Sequence, residues 1–182
     1  MFMATLIKNK QITQDHWQTL DSQGETPHFE SSTVGDWLVP LSVWTAQSHV
    51  LCARGGRNGV ILQNTDDPQL LVNDFDRLAL IAVHFPKFTD GRGYSVARLL
   101  RRLGWKGELR AVGDVLRDQL FYMTRCGFDA FLMRADQDGQ SALKSFKDFS
   151  VPYQPAIDAG FRFVGDAKSV ASAPSVVTVN PW

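Results

Sequence analysis

At 182 residues, with 19 Lys and Arg against 19 Asp and Glu, the chain has no formal net charge, so it offers no global positive field to nucleic acid or anionic lipid. Its two cysteines, Cys52 and Cys126, are far apart and belong to no C-x-x-C pair, which excludes protein-only ligation of an iron–sulfur cluster and a four-ligand structural zinc site built on cysteine. An apolar fraction of 44%, with 12 Phe and 5 Trp, argues for one packed domain over most of the length.

The opening "MFMATLIKNKQ" lacks a basic segment followed by an unbroken apolar one, and no run of about 18 apolar residues occurs to span a bilayer. A cytoplasmic protein without a membrane segment is expected. "LIKNKQIT" resembles a short hairpin with Lys8, Asn9 and Lys10 at its tip. Residues Asp21 to Ser32 are rich in Ser, Gly, Pro, Thr and Glu and read as a loop, so 1–35 form an N-terminal hairpin and loop. From Pro40, Leu41, Trp44, Ser48 and Leu51 fall at helical spacing until Gly55 and Gly56 stop the element.

"GVILQ", Gly59 to Gln63, reads as a buried strand, and Asp67-Pro68 opens a helix through about Phe75. "RLALIAVHF", Arg77 to Phe85, is almost continuously apolar, as a central parallel strand covered on both faces should be. After two glycines, Val96, Leu99, Leu100 and Leu103 share one helical face and Gly104 ends it. "GELRAVG" is a strand, "DVLRDQLFYMTRCG" a helix, "FDAFLMR" a strand and Gln140 to Phe149 a helix. This alternation predicts a single α/β domain over 36–164, with a mainly parallel sheet built from about four consecutive βα units, open or half-barrel-like. The small, polar, proline-bearing end, 165–182, is expected to be a flexible tail.

Open α/β sheets bind ligands at the carboxyl ends of their strands, which directs attention to "PKFTDGRGYS", "GDVLRDQ", "RADQDG" and "NTDDP". In the first, Gly91 and Gly93 lead into a helix whose free amides and positive dipole end suit an anion. Lys87 and Arg92 add charge, Ser95 can cap the helix or donate a hydroxyl, and Asp90 can hold the loop closed. The plainer account is that the glycines supply left-handed backbone angles in a long turn.

Gly91, Gly93 and Ala97, with Asp114 at the end of the following strand, also approximate a dinucleotide fingerprint. Pro86 to Asp90 delay the glycines too long after their strand for a good match. Asp114, Arg117 and Asp118 can orient a substrate and move protons, or simply cap and pair at a helix start. His84 closes a strand beside the loop and reads more readily as a packed residue than as an acid or base. His16, His28 and His49 have no metal-ligand spacing, so no metal site is expected. No G-x-S-x-G elbow, phosphate loop ending G-K-[ST] or H-E-x-x-H motif occurs.

From Leu78 to Phe131, above all in "FPKFTDGRGYS" and "GELRAVGDVLRDQ", the chain resembles the bacterial domain of unknown function 934 family. The matching positions include Tyr94 with the loop residues above, and Gln119 after Asp118. Members are labelled as oxidoreductases involved in sulfite reduction and are commonly encoded beside assimilatory sulfite reductase. The resemblance therefore implies an accessory protein of that pathway, with the sulfite reductase hemoprotein subunit or a small oxyanion as partner, and assigns neither catalytic residues nor a cofactor. The alternative it leaves is a small enzyme, nicotinamide-dependent or not, acting on a sulfur-oxyanion or phosphorylated metabolite. Self-association into a homo-oligomer is a further expectation.

Overall fold

The computed structural model describes residues 4–20 and 34–146; the loop expected over 21–32 and the tail over 165–182 lie outside the described residues. The chain opens with an antiparallel hairpin, β1 (Leu6–Lys8) and β2 (Gln11–Thr13), turned by Asn9 and Lys10 at φ 51° and 62°. Two positive φ values in a two-residue loop match the right-handed twist of the strands it joins. Next come β3 (Gln18–Thr19), β4 (Trp37–Pro40) and helix α1 (Leu41–Ala53). β5 (Asn58–Leu62) leads to a 3-10 helical stretch, Pro68–Arg77, whose first turn is capped by the Asp67 carboxylate. The rest is β6 (Leu80–Phe85), α2 (Arg92–Arg102), β7 (Glu108–Gly113), α3 (Leu120–Cys126), β8 (Ala130–Leu132) and α4 (Gly139–Ser145).

Among the described residues all eight strands form one sheet in the order β2-β1-β8-β7-β6-β5-β4-β3. The expected mainly parallel sheet of about four βα units is corrected here: the sheet is mixed, because β1 runs antiparallel to both β2 and β8 while β3 to β8 pair in parallel. The α/β class and the half-barrel form hold. From β4 to β8 spatial order equals chain order. Right-handed crossovers without a reversal put the helices that connect these strands on one face, so the sheet curls instead of being wound on both sides.

The tightness of the curl follows from chain length. A flat sheet of eight strands would be about 33 Å wide, yet β2 and β3, on opposite edges, are joined by residues 14–17, a link of at most about 17 Å. The two edges must therefore approach each other.

Alternation along each strand sorts the two faces. Val39, Val60, Ile81, Val83, Leu109 and Phe131 belong to the main core beneath the helices, whereas Leu38, Leu80, Ala82 and Val112 form a second buried cluster on the concave face. "RLALIAVHF" reads as apolar throughout because β6 is covered on both sides, by helices on one and by the curl itself on the other.

The segment 14–17 closes one end of the half-barrel. Trp17 packs against the Leu38, Leu80 and Ala82 cluster, and a side chain at Gly59 would lie 3.1 Å from its ring. Asp15 accepts two hydrogen bonds from Arg110 Nη1, at 3.0 and 2.9 Å. Arg110 also pairs with Glu108 at 2.7 Å, and Glu108 with Lys8 at 2.7 Å. These groups belong to the amino-terminal ends of the parallel strands. The carboxyl ends are left as the mouth.

Candidate functional site at the mouth of the half-barrel

Neighbouring strands deliver polar groups to the mouth in register. β5 runs out into Gln63 and Asn64, β6 carries His84 one residue before its end, β7 ends at Gly113 followed by Asp114, and Arg134 follows β8. His84 Nδ1 is 2.9 Å from Gln63 Oε1. Burial lowers the His84 pKa below the ordinary histidine value, favouring the neutral ring.

The loop after β6 is fastened from both sides. Asp114 Oδ2 accepts from the Phe88 amide at 2.8 Å, and Gln119 Nε2 donates to the Phe88 carbonyl at 2.7 Å. Asp114 Oδ1 accepts from Arg134 Nη1 at 2.8 Å, and Arg134 also forks onto Asp136. The hydrogen bonds to Asp136, then to Asp114, raise the Arg134 pKa further above its usual value. Asp114 therefore does not cap the helix after β7, which begins as a 3-10 turn at Arg117; its carboxylate is spent on the loop and on β8.

Asp90 organises the far side of the loop. Its Oδ1 accepts from the Arg92 amide at 3.1 Å and Nε at 3.0 Å, while Oδ2 accepts from Arg92 Nη2 at 2.7 Å and Asn64 Nδ2 at 2.5 Å. The Arg92 side chain first, then its amide, holds the Asp90 carboxyl far below the usual carboxylate range. An internal carboxylate thus already sits at the amino end of α2. The helix starts at Arg92 with Gly91 as its cap, so Ser95 lies exposed within the first turn instead of capping it.

Neither glycine needs a left-handed backbone. Gly91 has φ −77° and open space where a side chain would stand, whereas a Cβ at Gly93 would lie 2.5 Å from the Phe85 ring. Gly93 lets α2 settle on β6. A Gly91→Ala variant is expected to stay within about 0.5 kcal/mol of the parent, while Gly93→Ala loses about 1–3 kcal/mol through overpacking; urea unfolding of the two measures the contrast.

The other expected site residues fall as follows. Lys87 is exposed beside Phe88, and Tyr94 is half-buried, its ring 5.4 Å from Phe85 and 5.1 Å from Tyr122, with burial raising its pKa. Arg117 turns away from the glycine loop and donates to Ser141 Oγ at 2.8 Å. Asp118 is exposed in the 3-10 turn. Gln63, Asn64 and Arg134 were not singled out from the sequence, although they lie in or beside loops that were. Among the described residues no group of three or more His, Cys, Asp or Glu is placed to hold a metal, and no helix is long and apolar enough to cross a membrane.

His84 makes stability at the mouth depend on pH. Its folded pKa is depressed, so the unfolded chain binds the proton more readily and stability falls as pH drops below about 6.5 until the folded ring also protonates. A His84→Gln variant should show a flatter melting temperature between about pH 5 and 7 than the parent.

A family model described as bacterial protein of unknown function (DUF934) matches residues 59–161, more than half of the chain. The chain belongs to the DUF934 family. No curated protein and no solved structure matches it. The DUF934 match begins in β5 and takes in β6, the Phe88 loop, α2, β7 and β8, so the mouth residues Gln63, His84, Asp90, Asp114 and Arg134 all lie within it. The closing segment 14–17 lies before it.

Proposed function

We propose that this DUF934 protein is an accessory protein of assimilatory sulfite reduction, which uses the loop after β6 and the strand ends beside it to bind an oxyanion ligand or to dock on the sulfite reductase hemoprotein subunit. The pathway comes from the resemblance of the loop sequences. The supporting observation is Phe88, a large apolar side chain 49% exposed whose own amide and carbonyl are both tied down, by Asp114 and Gln119. An aromatic group held out to solvent on a pre-ordered backbone loses little entropy on association, which is the character of a binding anchor. Exposed Lys87 adds positive charge beside it, while the exposed Arg92 guanidinium is held by Asp90.

The enzyme alternative is weaker in its nicotinamide form. A dinucleotide pyrophosphate would need the amino end of α2, where the Asp90 carboxylate already accepts from the Arg92 amide. The residues do not fit that group.

Two measurements test the proposal. In a thermal-shift screen of sulfite, sulfate, phosphate, adenylyl sulfates and nicotinamide nucleotides, an oxyanion ligand raises the melting temperature of the parent, and Lys87→Ala reduces the shift. Phe88→Ala should leave unfolding within about 0.5 kcal/mol of the parent and weaken binding to the hemoprotein subunit by about tenfold or more. Turnover of a sulfur oxyanion by the isolated chain would favour the enzyme instead.

A further inference from the structure

His84 is held at the mouth in a way that selects a ligand by its protons. Gln63 Oε1 stands 2.9 Å from Nδ1; a carbonyl oxygen only accepts, so this contact is a hydrogen bond in the tautomer that carries its hydrogen on Nδ1. In the neutral imidazole the other nitrogen, Nε2, is then an acceptor. Gly113 lies alongside that edge of the ring with φ +95°; a Cβ there would lie 3.0 Å from Nε2 and 2.9 Å from Cδ2. Gly113 is itself exposed and has no side chain to lie across that edge, and the His84 ring is only partly buried.

The two arginines of the cluster are already engaged, Arg92 by Asp90 and Arg134 by Asp114 and Asp136, and Lys87 stands exposed beside them. Lys87 attracts oxyanions of equal charge alike, so the choice among them turns on hydrogen-bond polarity. An acceptor facing a fully deprotonated oxyanion leaves two lone pairs opposed, whereas a ligand O–H satisfies both.

We propose that His84 Nε2 is a binding-site acceptor that admits oxyanions carrying a hydrogen, of the hydrogen phosphate or hydrogen sulfite type, and rejects those without one, of the sulfate type. This rests on the oxyanion reading of the mouth and adds the ligand class to it.

Inorganic phosphate and sulfate make the test, because near pH 8 both are predominantly dianions of similar size and only phosphate keeps a proton. Titration of the full chain, followed by calorimetry and by the imidazole nitrogen resonances of His84, should show phosphate binding at least about tenfold tighter than sulfate and perturbing Nε2. His84→Phe should abolish the preference, by weakening phosphate binding and by no longer disfavouring sulfate. Equal affinities, or a preference that survives His84→Phe, would overturn the inference and leave the oxyanion reading standing. Binding of neither anion would remove both. If His84→Phe does not fold, the parent alone still decides: resonances showing the ring hydrogen on Nε2 contradict the proposal, and resonances showing it on Nδ1 support it.

Discussion

Gly113→Ala is expected to lose about 3 kcal/mol or more of unfolding free energy, a large share of the stability of a domain this size. Two costs combine. At φ +95° any L side chain is strained, and its Cβ would lie 2.4 Å from the Phe85 carbonyl oxygen and against the His84 ring. That carbonyl already accepts from the Asp114 amide at 2.8 Å, so moving it disturbs the residue that fastens the Phe88 loop. Equilibrium unfolding in urea measures the loss. Gly104→Ala, at φ +103° with no neighbour in the way, is the control and should show the strain alone.

Arg110→Ala is expected to cost about 2–4 kcal/mol, because it leaves the nearly buried Glu108 with only Lys8 and takes the guanidinium from the part-exposed Asp15. The Arg110 side chain is 2% exposed and Glu108 9%, with Asp15 on the other side of the guanidinium. Losing Arg110 also unfastens the segment that joins the two sheet edges. The Trp17 amide, which donates to Asp15 Oδ1 at 3.2 Å, should exchange its hydrogen faster in this variant. Replacing Arg110 by Met and Glu108 by Leu together should recover most of the stability, since it removes the two most buried charges and leaves only the part-exposed Asp15 and Lys8, which water can reach.

Central elements were legible because each carries a local signal. β6 announces itself by six consecutive apolar-compatible residues, α2 by its Leu stripe and Gly104, and α3 by Gly127 at φ 111°. β4 was not legible: "WLVP" ends in a proline that reads equally well as the first turn of α1, and here Pro40 serves both strand end and helix cap. β3, two residues without an apolar pattern, owes its existence to pairing with β4. The antiparallel placement of β1 against β8 is a contact across more than 120 residues, which no local pattern encodes.

The site divides in the same way. The loops were found from strand-end logic, but the partners within them are non-local: Asn64 reaches Asp90 and Arg134 reaches Asp114 across separate strands. Asp90 shows the consequence. Its sequence position suggested a clasp near an anion site, whereas its carboxylate itself occupies the helix end. His84 resembled a packed strand residue until Gln63 and Gly113 came together around its ring.

The most direct test of a binding role for this mouth is titration of the purified sulfite reductase hemoprotein subunit onto the immobilised parent chain and its Phe88→Ala variant. The account predicts saturable binding by the parent, weakened about tenfold or more by Phe88→Ala at unchanged stability. Equal binding by the two chains, or none by the parent, would contradict it.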